Sequence, residues 1–239
     1  MKQPAGVDVG YLTDVMESMS ADRLMDIFAD GFSSLSLIVL TTDGTIVYAN
    51  AVATKGFAGV DKNSIKGKHL TELTPPGWAN ERIGYMQRAA QTGKPIPLID
   101  LIAGTRLYTT LRPVEIEHNG HNETLIFITV EPISSVQLHR IRNKFTDGGL
   151  IAAKHIDLGR LRVLTPREIE VLALMGRGLR QKDIANKLCR SVSTIDRHRE
   201  RIGNKLGITD RADLIALARE AALEVEDAKR IHVSLKPQK

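Results

Sequence analysis

The chain has 239 residues, 42% hydrophobic and 26% charged, with a formal net charge of +5; this composition suits a globular protein of one or two domains and excludes a disordered or fibrous chain. No apolar run approaches the roughly 20 residues of a bilayer-spanning helix, and the opening MKQPAGVDVGYLTDVMES lacks the apolar core of a signal peptide. Cys189 is the only cysteine, so no intrachain disulfide can form, and a reducing cytoplasm is the expected setting with no membrane partner.

Residues 11–31 have helical spacing, with Leu12, Val15, Met16, Met19, Leu24, Ile27 and Phe28 on one stripe and Gly31 as the stop. LSLIVLTTDGTIVYAN, residues 35–50, reads as two strands around Asp43-Gly44, because a tight hairpin turn needs positive φ. Residues 51–94 are mixed. AVATKGFAG and NERIGYMQRAAQTGK look helical, Pro75-Pro76-Gly77 interrupts between them, and Gly93 suits a helix C-cap. The strand pattern returns in LIDLIAG, RLYTTLRPVEIE and ETLIFITVEPI, separated by Gly104 and by a turn at His118-Asn119-Gly120-His121. Two strands, short helices, then three strands predict one antiparallel sheet with helices on a face. SSVQLHRIRNKF predicts a helix leaving that sheet, broken at Asp147-Gly148-Gly149; Pro237 and the terminal lysines look frayed.

The charge is uneven: residues 1–159 carry 15 Lys and Arg against 17 Asp and Glu, and residues 160–239 carry 18 against 11. A polyanion-facing C-terminal part is expected. Residues 165–222 divide into four helical segments. Thr165-Pro166-Arg167-Glu168 opens the first as a capping box, with Ile169, Leu172 and Ala173 inward and Gly176 and Gly178 at its end. The second, 180–188, turns in Ile184, Ala185 and Leu188. Cys189, read as a small apolar residue at that helix end, opens the turn Cys189-Arg190-Ser191-Val192. The third follows to Leu206, and the fourth, 210–223, starts at an Asp210 cap with Leu214, Leu217 and Ala218 inward. On the wheel of the third, Ile195, Ile202 and Leu206 form a narrow inward seam. Ser193, Arg197, Glu200, Arg201 and Asn204 lie opposite, with Asp196 at the edge. Two helices joined by a short turn make a helix-turn-helix candidate.

Leu164-Thr165-Pro166-Arg167-Glu168, Val171-Leu172, Gly178, Ile184-Ala185, Leu188, Ser191, Thr194-Ile195, His198, Lys205-Leu206-Gly207 and Arg211 resemble the DNA-binding domain of LuxR-type (LuxR/GerE) transcription regulators. The resemblance implies that helix 180–188 braces the DNA backbone while helix 193–206 enters the major groove. The base-reading positions are then Asp196, Arg197, Glu200 and Arg201. Backbone contacts are expected from Arg180, Lys182, Arg190, Ser191, Ser193, Thr194, His198 and Lys205. The chain departs from relatives that carry lysine at 196 or 200, and Arg180 replaces a small capping residue. Arg donates to guanine and a carboxylate accepts from cytosine N4, whereas carboxylates weaken phosphate-driven non-specific binding. The carboxylates are also placed to steer Arg197 and Arg201, since Arg197–Glu200 and Arg197–Arg201 are neighbours at i,i+3 and i,i+4.

Asp43-Gly44-Thr45-Ile46-Val47-Tyr48-Ala49-Asn50, Gly67-Lys68 and Arg112-Pro113-Val114, within 20–132, resemble a PAS sensor domain. This implies a five-stranded antiparallel sheet with small helices over a central pocket, and sensing or dimerisation through flanking helices such as 11–31 and 134–145. The expected fold is therefore an α+β PAS-like domain followed by an all-α four-helix helix-turn-helix domain. Its divisions are a helical segment 1–33, the PAS-like domain 34–133, a connector 134–160, the helix-turn-helix domain 161–225 and a tail 226–239. No cofactor is predicted, and a small-molecule ligand in the PAS-like domain is left open. His69, the one histidine of the helical insert, sits in an exposed-looking turn unsuited to haem. Cys189 lies in the wrong domain for a flavin photosensor. His118 and His121 have no carboxylate or thiol cluster for a metal, and Trp78 suits a core position.

The function so read is a sequence-specific DNA-binding transcription regulator, a homodimer on double-stranded DNA. Its PAS-like domain senses a small ligand or protein partner and controls dimerisation or DNA binding. A protein-interaction module without DNA readout is the alternative. An enzyme is not expected, since no nucleophile elbow, Gly-rich phosphate loop, metal-ligand cluster or paired carboxylates occur. A receiver domain would need alternating strands and helices, and an acyl-lactone sensor is larger and richer in aromatics.

Overall fold

The computed structural model describes residues 35–56, 62–118, 121–146 and 148–235. The expected helix at 11–31, the Asn119-Gly120 turn tip and the terminal lysines lie outside them. The first hairpin forms as the sequence predicts: β1 (Ser36–Thr41) pairs antiparallel with β2 (Ile46–Ala49). Gly44 turns between them at φ 100°, where a side chain would also strike Ile83 at 2.8 Å. Three short helices follow, α1 (Ala51–Gly56), α2 (Lys62–Ile65) and α3 (Leu70–Leu73). His69 is half-buried rather than exposed. It caps α3, and its ring nitrogens lie 2.7 Å from the Thr71 hydroxyl and 2.6 Å from the Asp43 carbonyl.

Helix α4 runs Pro76–Thr92, longer than predicted. Pro75-Pro76-Gly77 is not an interruption but the helix start: Pro76 occupies the first turn, where its missing N–H costs nothing. Gly93 ends α4 in the left-handed conformation, as expected. Strands β3 (Ile96–Ile102), β4 (Thr105–His118) and β5 (His121–Pro132) complete five antiparallel strands. A short β6 (Ile151–Ala152) from the connector adds parallel to β3, giving the order β2-β1-β5-β4-β3-β6.

Strand alternation divides the residues of this sheet. Ile38, Leu40, Leu98, Leu111 and Ile128 face α4 and a central cavity. On the other face, Ile99 and Ile133 pack with Leu138 of helix α5 (Ser135–Lys144) and with Ala222 from the C-terminal unit. Strand β3 is thus buried on both faces, so its sequence lacks clean alternation. Leu40, Ile46, Leu98, Leu111 and Ile126 are at most 1% exposed, each contributing about 1.5–3 kcal/mol by burial.

After β7 (His155–Ile156) and a 3-10 turn, Gly159–Val163, come four helices: α6 (Pro166–Gly176), α7 (Gln181–Lys187), α8 (Val192–Leu206) and α9 (Arg211–Glu220). The Thr165–Glu168 capping box and the Asp210 cap form as predicted. Beyond α9 the described residues run to Leu235. A second 3-10 turn, Val225–Lys229, packs on α6, and β8 (Ile231–His232) pairs parallel with β7. The two units share a seam. Arg106 of β4 forms an ion pair with Asp227, both side chains 0% exposed, and Arg142 of α5 pairs with Glu224 at 2.6 Å. Burial raises the Glu224 carboxyl above its ordinary range, although Arg106 and Arg142 oppose that shift.

Candidate nucleic-acid interface and central cavity

Helix α8 is held from behind by apolar packing. Ile195 and Ile202 are buried and Leu206 partly so, meeting Ile169, Leu172, Ile184 and Ala185 of α6 and α7 in one core. Arg167 donates to the Leu188 carbonyl at 2.7 Å, tying α6 to the end of α7. Cys189 turns the chain there at φ 52° and is exposed, not the apolar filler its type suggested. Ser191 then caps α8. Its hydroxyl accepts from the Thr194 N–H at 3.2 Å and lies within 2.9 Å of the Ser193 and Thr194 hydroxyls. The first turn of α8 so presents a hydroxyl cluster beside the positive end of a helix dipole.

Arg197, Glu200 and Arg201 are exposed, and none of their side chains forms a hydrogen bond or ion pair with another described residue. The expected steering of Arg197 by Glu200 is therefore absent from this conformation. Asp196 is differently employed. It is half-buried and accepts from the Gln181 side chain of α7, with Arg199 Nε 4.0 Å away. Its carboxylate fixes α7 against α8, a non-local role that wheel position could not reveal. Arg180, Lys182, Arg190 and Ser193 are exposed around this face, and Thr194 is partly buried. Lys205 is committed elsewhere, donating to Glu168 at 2.6 Å. Burial alone would raise the Glu168 carboxyl, but Lys205 and Thr165 outweigh it and hold it below its ordinary range. His198 is half-buried, its Nδ1 lacks a partner among the described residues, and burial lowers its pKa.

The second feature is a cavity of about 130 Å³ between the sheet and α4. Its walls are mostly apolar, with Arg82 and Asp100 the charged members. Arg82 pairs with Asp100 and with Glu81, donates to the His155 carbonyl at 3.2 Å, and stacks on Trp78 at 4.5 Å. The Trp78 indole N–H and Arg82 Nε–H have no partner among the described residues. Trp78 is buried, as expected, in the cavity wall. His69 is not part of that wall. Behind Arg82, Glu81 accepts from Tyr85 at 2.6 Å and from the Lys154 and His155 N–H groups at 2.7 and 2.9 Å. Burial would raise the Glu81 carboxyl, but these donors and Arg82 bring it down to about 2. The described residues contain no group of three or more His, Cys, Asp or Glu arranged to hold a metal ion.

Comparison with known proteins separates the same two units. The family model for bacterial regulatory proteins of the luxR family matches residues 162–218, and the model for the PAS fold matches residues 33–120. Residues 162–218 are thus similar to the LuxR-type helix-turn-helix unit, and residues 33–120 to the PAS fold. The oxygen regulatory protein NreC of Staphylococcus aureus is 39% identical to this chain over 57 residues, 24% of this chain and 26% of NreC. The chain thus spans about a quarter of the length of the curated relatives it matches. Among solved structures, a ligand–DNA complex of VqmA from Vibrio cholerae aligns over 87% of this chain and 92% of VqmA, at 19% identity and TM-score 0.48. The PAS domain of Bordetella pertussis BvgS covers 52% of this chain and 96% of its own, at 17% identity and TM-score 0.39. The family matched by residues 162–218 is one of bacterial regulatory proteins. No helix among the described residues is long and apolar enough to cross a membrane.

Proposed function

We propose that the chain is a sequence-specific DNA-binding transcription regulator whose PAS unit binds a small molecule and thereby controls DNA binding or dimerisation. The observation that carries the reading is the open face of α8: Arg197, Glu200 and Arg201 are exposed and without ion-pair partners among the described residues, on a helix fixed from behind by Ile195 and Ile202. A rigid helix with an uncommitted Arg pair is suited to donate to guanine O6 and N7, and Glu200 to accept from cytosine N4. Arg180, Lys182, Arg190, Ser191, Ser193 and Thr194 are assigned to phosphates, which position the helix without reading sequence. His198 and Lys205 are assigned there too, Lys205 after release from Glu168. Asp196 serves readout through its hold on Gln181, or directly if that bond exchanges for a base. Two copies of the chain would set two α8 helices one helical turn apart on DNA. The site of action is the cytoplasm, and no catalytic role is assigned.

The cavity supports the sensing half of the proposal. A dry apolar cavity of about 150 Å³ takes a benzene-sized molecule, so the space beside Arg82 and Asp100 suits a compact, mainly apolar ligand with one hydrogen-bonding group. The test is a titration of the full chain with a labelled random duplex at several salt concentrations. A DNA binder loses affinity log-linearly with salt as counterions are released. No binding at low salt would leave the LuxR-type unit without a DNA role.

A further inference from the structure

We propose that the segment from Ile231 to Leu235, a strap running from the DNA-binding unit back over the PAS unit, transmits the state of the central cavity to the DNA-binding unit. The proposal rests on reading that cavity as a ligand site. Among the described residues, every wall residue of the cavity lies between Ser36 and Val130 except Leu235. The C-terminal unit thus supplies part of the enclosure of the PAS cavity through a side chain at the end of the strap. A ligand that outgrows the free space meets Leu235 as the one described wall residue supplied from outside the PAS unit.

The strap is held through alternate backbone N–H groups. Ile231 N–H donates to the Lys154 carbonyl and Val233 N–H to the Ile156 carbonyl, each at 2.9 Å, and Leu235 N–H to the Asp157 carboxylate at 3.3 Å. The Ser234 hydroxyl accepts from Arg162 at 3.1 Å. What it rests on is tied in addition to α4 and to the sheet. Glu81 holds the N–H groups of Lys154 and His155, Arg82 holds the His155 carbonyl, and Asp157 N–H donates to the Leu101 carbonyl at 2.8 Å. Local opening takes the least-bonded element first, so the strap yields before β7 or the sheet does.

Its other end reaches the seam between the units. The His232 ring nitrogen lies 2.9 Å from the Asp227 carbonyl, while the Asp227 carboxylate pairs with Arg106 of β4. Asp227 therefore belongs both to the strap's anchor and to the buried clamp on the PAS sheet. Displacing Leu235 withdraws the strap, and the turn Val225–Lys229 loses one of the supports that keep Asp227 against Arg106.

Amide hydrogen exchange of the full chain, with and without phenol as a benzene-sized probe, tests this. Saturating phenol should speed exchange across 231–235 at least tenfold while slowing it across 98–102. A second arm needs no ligand. Val233→Pro removes the N–H that bonds Ile156 and should speed exchange at least tenfold in 231–235 and several-fold in 225–229. The β4–β5 pairing should keep its protection, showing that the fold is intact. Phenol that protects 98–102 but leaves 231–235 unchanged would overturn the coupling while sparing the ligand reading. Phenol that binds neither protein would remove the ligand reading. The strap's link to the seam then stands or falls on whether 225–229 responds to Val233→Pro, and no response there overturns it.

Discussion

Replacing Arg106 by methionine removes one partner of a pair whose two side chains are wholly buried between β4 and the turn Val225–Lys229. Stranding a buried charge in this way costs about 3–5 kcal/mol. Asp227 would keep the Glu224 N–H at 2.8 Å and Arg230 at 3.3 Å, which places the expected loss at the lower end, about 3 kcal/mol. That corresponds to roughly a hundredfold in the equilibrium that docks the two units. The pair itself is not the source of net stability. Arg106 Nε and Nη1 have no hydrogen-bond partner among the described residues, so the guanidinium is incompletely compensated for leaving water. Arg106→Met combined with Asp227→Asn should therefore recover part of that loss, because the amide oxygen introduced by Asp227→Asn still accepts from the Glu224 N–H without a charge to neutralise, while Arg230 loses its carboxylate partner. Urea titrations followed by Trp78 fluorescence, which reports the PAS unit, and by far-ultraviolet circular dichroism, weighted to the helical unit, would measure both. A single variant that loses under about 1 kcal/mol, or a double variant no better than the single, would refute the reasoning.

Four further outcomes are expected. Glu81 is depressed to about 2 from an ordinary 4.5, so it contributes about 3 kcal/mol that is present above pH 4.5 and lost as pH falls toward 2. Glu81→Gln should flatten that acid limb in urea midpoints measured from pH 6 to 3, and equal slopes in the two proteins would contradict it. Arg197→Ala should weaken binding to a selected operator by about 1–3 kcal/mol at fixed salt, and an unchanged titration would end its reading role. Glu200→Ala should tighten binding to random duplex by removing a charge that repels phosphate, with weaker binding as the contrary result. Gly159→Ala should lower the melting temperature, since Gly159 has φ +53° and an added Cβ would sit 2.5 Å from the Ala103 carbonyl. A cost above about 1 kcal/mol is expected, and a variant as stable as the wild type would show that the chain relaxes there.

What could be read ahead from the residues was local. Thr165-Pro166-Arg167-Glu168 specifies a helix start within four residues, Asp43-Gly44 a hairpin within two, and the Ile195/Ile202/Leu206 seam a buried face within one helix. Pro75-Pro76-Gly77 misled because proline signals a break and a helix start equally, and only the following turn decides. Arg106 looked like any strand arginine, and its partner lies 121 residues away. Asp196 sat at the edge of a polar wheel, yet Gln181 on another helix takes its carboxylate. The strap was hidden for the same reason: Ile231 and Val233 find their acceptors at Lys154 and Ile156, and no spacing rule spans that gap. The exposed face of α8 was therefore legible, while the seam and the strap emerged only from tertiary pairing.

The central claim is that α8 reads DNA sequence through Arg197, Glu200 and Arg201. Selection of duplexes from a random pool by the full chain, followed by sequencing of the bound fraction, tests it most directly. The bound pool should be enriched in an inverted repeat whose half-sites contain G·C pairs and are spaced about one helical turn, with enrichment at those pairs lost for Arg197→Ala. A bound pool indistinguishable from the input, or the same motif enriched by both proteins, would contradict it.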